Sequence, residues 1–145
     1  MARWISAELR QTIANRAKLL CEYCLIVESD TFYGCEVDHI INLKHGGSSE
    51  PENLAYACAL CNRAKGSDVG FSFYVWRIHA VFQSAHRPMG RTLSSEGASL
   101  QPLTTIGEVT ARILGFNDSA RLHEREEMIR FGKYPSEEAL ALLAG

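Results

Sequence analysis

A chain of 145 residues with net charge −2 and a pI near 6.2 has room for one ordinary domain and lacks the strong positive field of a typical nucleic-acid binder. No stretch approaches the roughly 18 apolar residues of a membrane span, and the N-terminal MARWISAELR has no apolar run of a secretory signal. Five cysteines in such a chain speak against a disulfide scaffold and for a reduced compartment, so the expectation is a soluble, cytoplasmic protein with no membrane partner.

Charge is unevenly spread. Residues 1–91 hold ten Lys/Arg against nine Asp/Glu, and residues 92–145 hold five against eight. Affinity for a polyanion therefore has to come from local placement of charge in the first two-thirds of the chain. Ser6 is positioned to cap a helix running to about Leu20, with Leu9, Ile13, Ala17 and Leu20 on one face. Leu25–Gly34 has no single period and reads as a loop or short hairpin. Glu36–Asn42 is rich in β-formers and predicts a strand, and Leu54–Ala57 a second one. Between them, His45-Gly46-Gly47-Ser48-Ser49 is turn chemistry, since glycine accepts positive φ without steric cost. Cys58–Gly66 predicts a knuckle and a short helix closed by Gly66.

Phe71–Gln83 fits helix better than strand, and the Gly-, Ser- and Pro-rich Ser84–Pro102 predicts a loop with a small hairpin. Three further helices are expected: Thr105–Leu114 closed by Gly115, Asp118–Phe131 closed by Gly132, and Ser136–Ala144 capped by Ser136. This mixture is an α+β chain, with a core over residues 1–70 and a mainly helical extension over 71–145 packed against it.

The chemistry concentrates in Val37–Gly66 together with Cys21-Glu22-Tyr23-Cys24. A two-residue gap lets both thiolates of a pair face one ion, so Cys21, Cys24, Cys58 and Cys61 together suit a closed tetrahedral zinc shell, which is structural. The competing interpretation is a pair of redox dithiols. Cys35 is left over and reads as a small buried strand residue. Asp38-His39 places a carboxylate beside the side chain best suited to take a proton near neutral pH. Phosphodiester hydrolysis needs negative charge stabilised at phosphorus and on the leaving oxygen, which a hard divalent cation held by oxygens supplies. Asp38 and the amide oxygen of Asn62 are the candidate ligands for Mg²⁺ or Mn²⁺. Asn53 is placed to bond back across the Gly-Gly turn toward the backbone around His39 and so to orient it. Lys44, His45, Arg63 and Lys65 are candidates for phosphate contact. Singly, each has a plainer role: Asn53 in an Asx turn, Asn62 as a helix cap, His39 as a structural histidine.

Taken in order, Asp38-His39, Gly46-Gly47, Asn53-Leu54, Cys58-x-x-Cys61 and Asn62-x-x-Lys65-Gly66 resemble the signature of the HNH endonucleases, within the ββα-metal class of nucleases. The resemblance implies His39 as general base, Asp38 and Asn62 as ligands of the catalytic ion, Asn53 orienting His39, and a structural zinc on the four cysteines. The third letter of the signature is asparagine here, a form that also occurs in the family. The implied function is metal-dependent hydrolysis of DNA, with RNA as a second substrate class. The alternative is a zinc-stabilised nucleic-acid-binding module without catalysis.

Overall fold

The computed structural model describes residues 5–65, 93–103, 108, 111–112 and 114–144. Ser6 opens the first helix, α1 (Ala7–Arg16), its hydroxyl accepting from the Leu9 amide at 3.1 Å. The expected helix runs to Leu20. Lys18 and Leu19 instead take φ of 55° and 58°, and this left-handed pair stops it. The apolar stripe survives the shortening: Ile13, Ala17 and Leu20 are buried, and Leu9 packs beside them. Leu20 then bridges to Val27, folding Cys21–Ile26 back on itself.

Strands β1 (Cys35–His39) and β2 (Leu54–Cys58) pair antiparallel, with Cys35 opposite Cys58 and His39 opposite Leu54. Every residue of β2 is buried. Burying an aliphatic or aromatic side chain contributes about 1.5–3 kcal/mol, so β2 and the α1 stripe anchor this half of the molecule. Polar side chains meet the backbone groups that the two-stranded ladder leaves over. Arg16 donates to the carbonyls of Pro51 at 2.9 Å and Leu54 at 2.6 Å, and Glu22 accepts from the Tyr56 amide at 2.9 Å.

The first strand is shorter than its β-rich sequence suggests. After His39 the chain bends into a 3₁₀ turn, Leu43–His45, capped by the Asn42 side chain, which accepts from the Lys44 amide at 2.9 Å. Helix α2 (Ala59–Lys65) follows β2 without a linker, giving strand, loop, strand, helix in chain order. The helix expected over Phe71–Gln83, and the part of the expected Ser84–Pro102 loop from Ser84 to Thr92, lie outside the described residues.

A hairpin of β3 (Leu93–Glu96) and β4 (Ser99–Pro102) turns at Gly97, whose φ is 60°. The Asn117 side chain pairs with both backbone groups of Leu100, at 2.9 Å each, extending the β4 edge. Of the expected helix Thr105–Leu114, Glu108, Ala111 and Arg112 are described and helical. Helix α3 (Ser119–Arg130) stops before Gly132, and α4 (Glu137–Ala144) is capped by Ser136, whose hydroxyl accepts from the Ala139 amide at 3.1 Å. The molecule is α+β: the described residues form helices and two small antiparallel sheets. Among the described residues no helix is long and apolar enough to cross a membrane.

Candidate functional site

The two Cys-x-x-Cys pairs converge. The sulfurs of Cys21, Cys24, Cys58 and Cys61 all lie within 4.8 Å of one another, and all four residues are buried. Cys24 and Cys58 are 3.8 Å apart at sulfur, close to the edge of a tetrahedron built on Zn–S bonds of about 2.3 Å. Both pairs make the same turn: the Cys24 amide donates to Cys21 Sγ at 3.4 Å and the Cys61 amide to Cys58 Sγ at 3.5 Å. Four soft donors at this spacing fit a zinc ion, and such a shell would leave no open coordination position, the form of a structural site. Cys35 stays apart from the cluster, with its thiol pushed up by burial.

Helix α3 closes over these sulfurs. Buried Arg121 points its guanidinium at them, Nη1 lying 3.6 Å from Cys61 Sγ and 4.0 Å from Cys58 Sγ. Burial by itself lowers an arginine's pKa. Here the negative charge of Cys24, Cys61, Cys58 and Glu124 outweighs it and holds Arg121 above its ordinary value. The Tyr134 hydroxyl donates to the Cys24 carbonyl at 3.0 Å, a second tie from the C-terminal region to the same knuckle.

On the other end of the β1–β2 ladder, strand alternation sends Asp38 and His39 to opposite faces. Asp38 Oδ2 accepts from the Tyr23 hydroxyl at 3.0 Å and lies 3.1 Å from Lys65 Nζ. Burial raises the Asp38 pKa. Lys65 and Tyr23 oppose that, and it remains above the usual carboxylate value. Lys65 is only 5% exposed, and its ammonium also donates to the His39 carbonyl at 2.9 Å. The sequence assigns Lys65 to a phosphate; in the fold it turns inward to Asp38 instead. The Asp38 carboxylate is an oxygen donor of the kind a hard cation takes, and it already holds one positive charge.

His39 is partly buried, with Nε2 3.0 Å from Ser49 Oγ. Burial lowers its pKa, Lys65 lowers it further, Asp38 works the other way, and the net shift is downward. Asn53 is buried and spans the loop: its amide donates to Ile41 O at 3.0 Å and Ser48 O at 2.7 Å, while Oδ1 accepts from Ile41 N at 2.8 Å. Its backbone carbonyl accepts from Ile40 at 2.8 Å. Gly47 makes this clasp possible, because a Cβ there would stand 1.6 Å from Ile41 O. Asn53 thus holds the backbone after His39, whereas the side chain touching the imidazole is Ser49.

Asn62 lies half-buried on α2, one turn before Lys65, and residues three apart share a helix face. That face is the one whose Lys65 reaches Asp38. Arg63 and Lys44 are exposed, and His45 ends the 3₁₀ turn that carries Lys44.

Residues 21–68 match the family model described as HNH endonuclease. This segment is an HNH domain. No curated protein and no solved structure matches the chain. The matched segment takes in both cysteine pairs, Asp38, His39, Asn53 and Asn62, and an HNH domain implies a nuclease-like function. Four residues that touch the domain's candidate site or its zinc centre escape the sequence reading. Tyr23 stands between two ligands that draw all attention, and Ser49 belongs to a turn. Arg121 and Tyr134 meet the zinc knuckle from 60 and 110 residues away, which no local pattern signals.

Proposed function

We propose that the protein is a metal-dependent endonuclease that hydrolyses DNA phosphodiester bonds, with RNA as a second substrate class. The observation that carries this reading is the Asn53 clasp, which fixes the loop after a partly buried His39 whose pKa is lowered and whose neighbour in sequence is a carboxylate. His39 takes a proton from water as it attacks phosphorus, and Ser49 steadies the ring. Asp38 and Asn62 provide the oxygens for Mg²⁺ or Mn²⁺, which when bound stabilises charge on the phosphoryl group and on the leaving 3′ oxygen. Lys44, His45 and Arg63 meet the phosphate backbone. The products expected from the family resemblance are 5′-phosphate and 3′-hydroxyl ends.

One observation favours a second reading, a zinc-stabilised nucleic-acid-binding module without catalysis: the Lys65 ammonium already neutralises Asp38. Plasmid nicking separates the two. Supercoiled DNA with Mg²⁺ or Mn²⁺ is expected to relax with the wild type and to stay intact with His39→Ala. EDTA stops the reaction and added Mg²⁺ restores it. Wild-type protein that retards DNA in a gel, yet leaves it uncut with every divalent ion, establishes the binder instead.

A further inference from the structure

Tyr23 lies inside the first zinc knuckle, flanked by Cys21 and Cys24, and is 1% exposed. Its hydroxyl crosses to β1 and meets Asp38 Oδ2 at 3.0 Å. A carboxylate oxygen accepts and a phenol O–H donates, so Tyr23 is the donor in this bond. Lys65 approaches the same oxygen from α2 at 3.1 Å. The carboxylate is therefore gripped from two sides, from the turn between Cys21 and Cys24 and from the helix that carries Cys61. Oδ1 has the longer contact, 3.4 Å to Lys65, and is the oxygen this arrangement offers to an ion.

We propose that Tyr23 is a positioning residue through which the zinc knuckle sets the direction of Asp38 toward a divalent cation. The proposal rests on the reading of Asp38 as a ligand of that cation. The bond reaches 15 residues along the chain and spans two elements. The knuckle turn is held rigid when its thiolates share a metal, so the hydroxyl joins the first cysteine pair to the hydrolytic site, as Lys65 joins that site to the helix that carries Cys61. A hydrogen bond to a charged group is among the stronger contacts a neutral side chain makes. Losing it frees the carboxylate to rotate and leaves a half-buried oxygen with one partner fewer.

The test is Mn²⁺ binding, followed by the paramagnetic resonance of the free ion, in full-length protein carrying Tyr23→Phe, Asp38→Asn, or both. Zinc content and circular dichroism are measured alongside. Tyr23→Phe is expected to keep its zinc and its spectrum while binding Mn²⁺ about tenfold more weakly. In the Asp38→Asn background the same change is expected to add nothing, because the hydroxyl acts through that carboxylate. Unchanged Mn²⁺ affinity in Tyr23→Phe, with affinity lost in Asp38→Asn, overturns the proposal and leaves the nuclease reading standing. Mn²⁺ binding indifferent to Asp38→Asn overturns both. If Tyr23→Phe loses zinc, 3-fluorotyrosine at position 23 takes its place. Its fluorine resonance is expected to shift with Mg²⁺ in the wild-type background and to stay still with Asp38→Asn; a resonance blind to Mg²⁺ defeats the proposal.

Discussion

His39 is neutral at pH 7 because partial burial and the Lys65 charge outweigh the pull of Asp38. A histidine whose folded pKa lies below its unfolded value binds fewer protons folded than unfolded. Its contribution to stability is therefore present at neutral pH and is lost as pH falls below about 6.5. The same shift extends its working range as a base. With chemistry limiting, nicking is expected to hold level through neutral pH and to fall only in acid below about 6.5, along the limb set by the lowered His39 pKa. A pH–rate profile under single-turnover conditions checks this, and a rate flat through that region removes His39 from the role of base. Asn53 works differently, by geometry alone. Asn53→Ala strips partners from Ile41 N, Ile41 O and Ser48 O together. The expected cost is about 2–3 kcal/mol of unfolding free energy, read by urea titration of zinc-loaded protein, with nicking lost well before the fold.

Elements written by local chemistry are legible from residues alone. Ser6 announces α1, the β-formers and the glycine pair announce β1, turn and β2, and the second knuckle announces α2. What local chemistry leaves unwritten is what each face meets. The spacing of Asn62 and Lys65 correctly puts them on one face, but only the fold shows that this face turns toward Asp38 rather than toward solvent. Helix α3 is the sharper case. Its cap and stop are readable at Asp118 and Gly132, whereas its buried side chains are arginines, the reverse of an apolar stripe. Arg125 is fully buried, donating to the carbonyls of Ala98 and Phe116, and Arg121 faces thiolates. Four thiolates on one Zn²⁺ would leave a net negative charge, which Arg121, already 3.2 Å from Glu124, is placed to offset from a buried position. Arg121→Met keeps the bulk and removes the charge, so it is expected to cost about 2–3 kcal/mol. It should also hasten zinc loss to a chelating dye several-fold and raise amide exchange along residues 119–130 relative to the wild type.

At the scale of the molecule, the four-cysteine cluster joins the turn before β1 to the end of β2 and the start of α2. Its first pair precedes β1 and its second ends β2, so the loop carrying His39 and Asn53 is closed at its base by four sulfurs. Arg121 and Tyr134 lean on that same base from the C-terminal region, and Lys133 reaches Asp30 near the first knuckle at 3.4 Å. Removing the ion would withdraw the cross-link and leave four buried thiolates to repel one another or protonate. Protonation would leave Arg121 with Glu124, at 3.2 Å, as its charged partner. The chain should then lose the HNH segment and the seat of α3 in one transition rather than fray from the C-terminus. Stripping zinc with a strong thiol-competing chelator is expected to abolish the near-ultraviolet dichroism and the exchange protection of β2 and α3 together, with recovery on adding zinc under reducing conditions. Cys61→Ser, which removes one ligand, is expected to fold only partially at any zinc concentration. Retention of β2 protection after complete zinc removal, with the thiols cycling reversibly between reduced and oxidised forms, is the outcome that assigns the cysteines to redox chemistry instead.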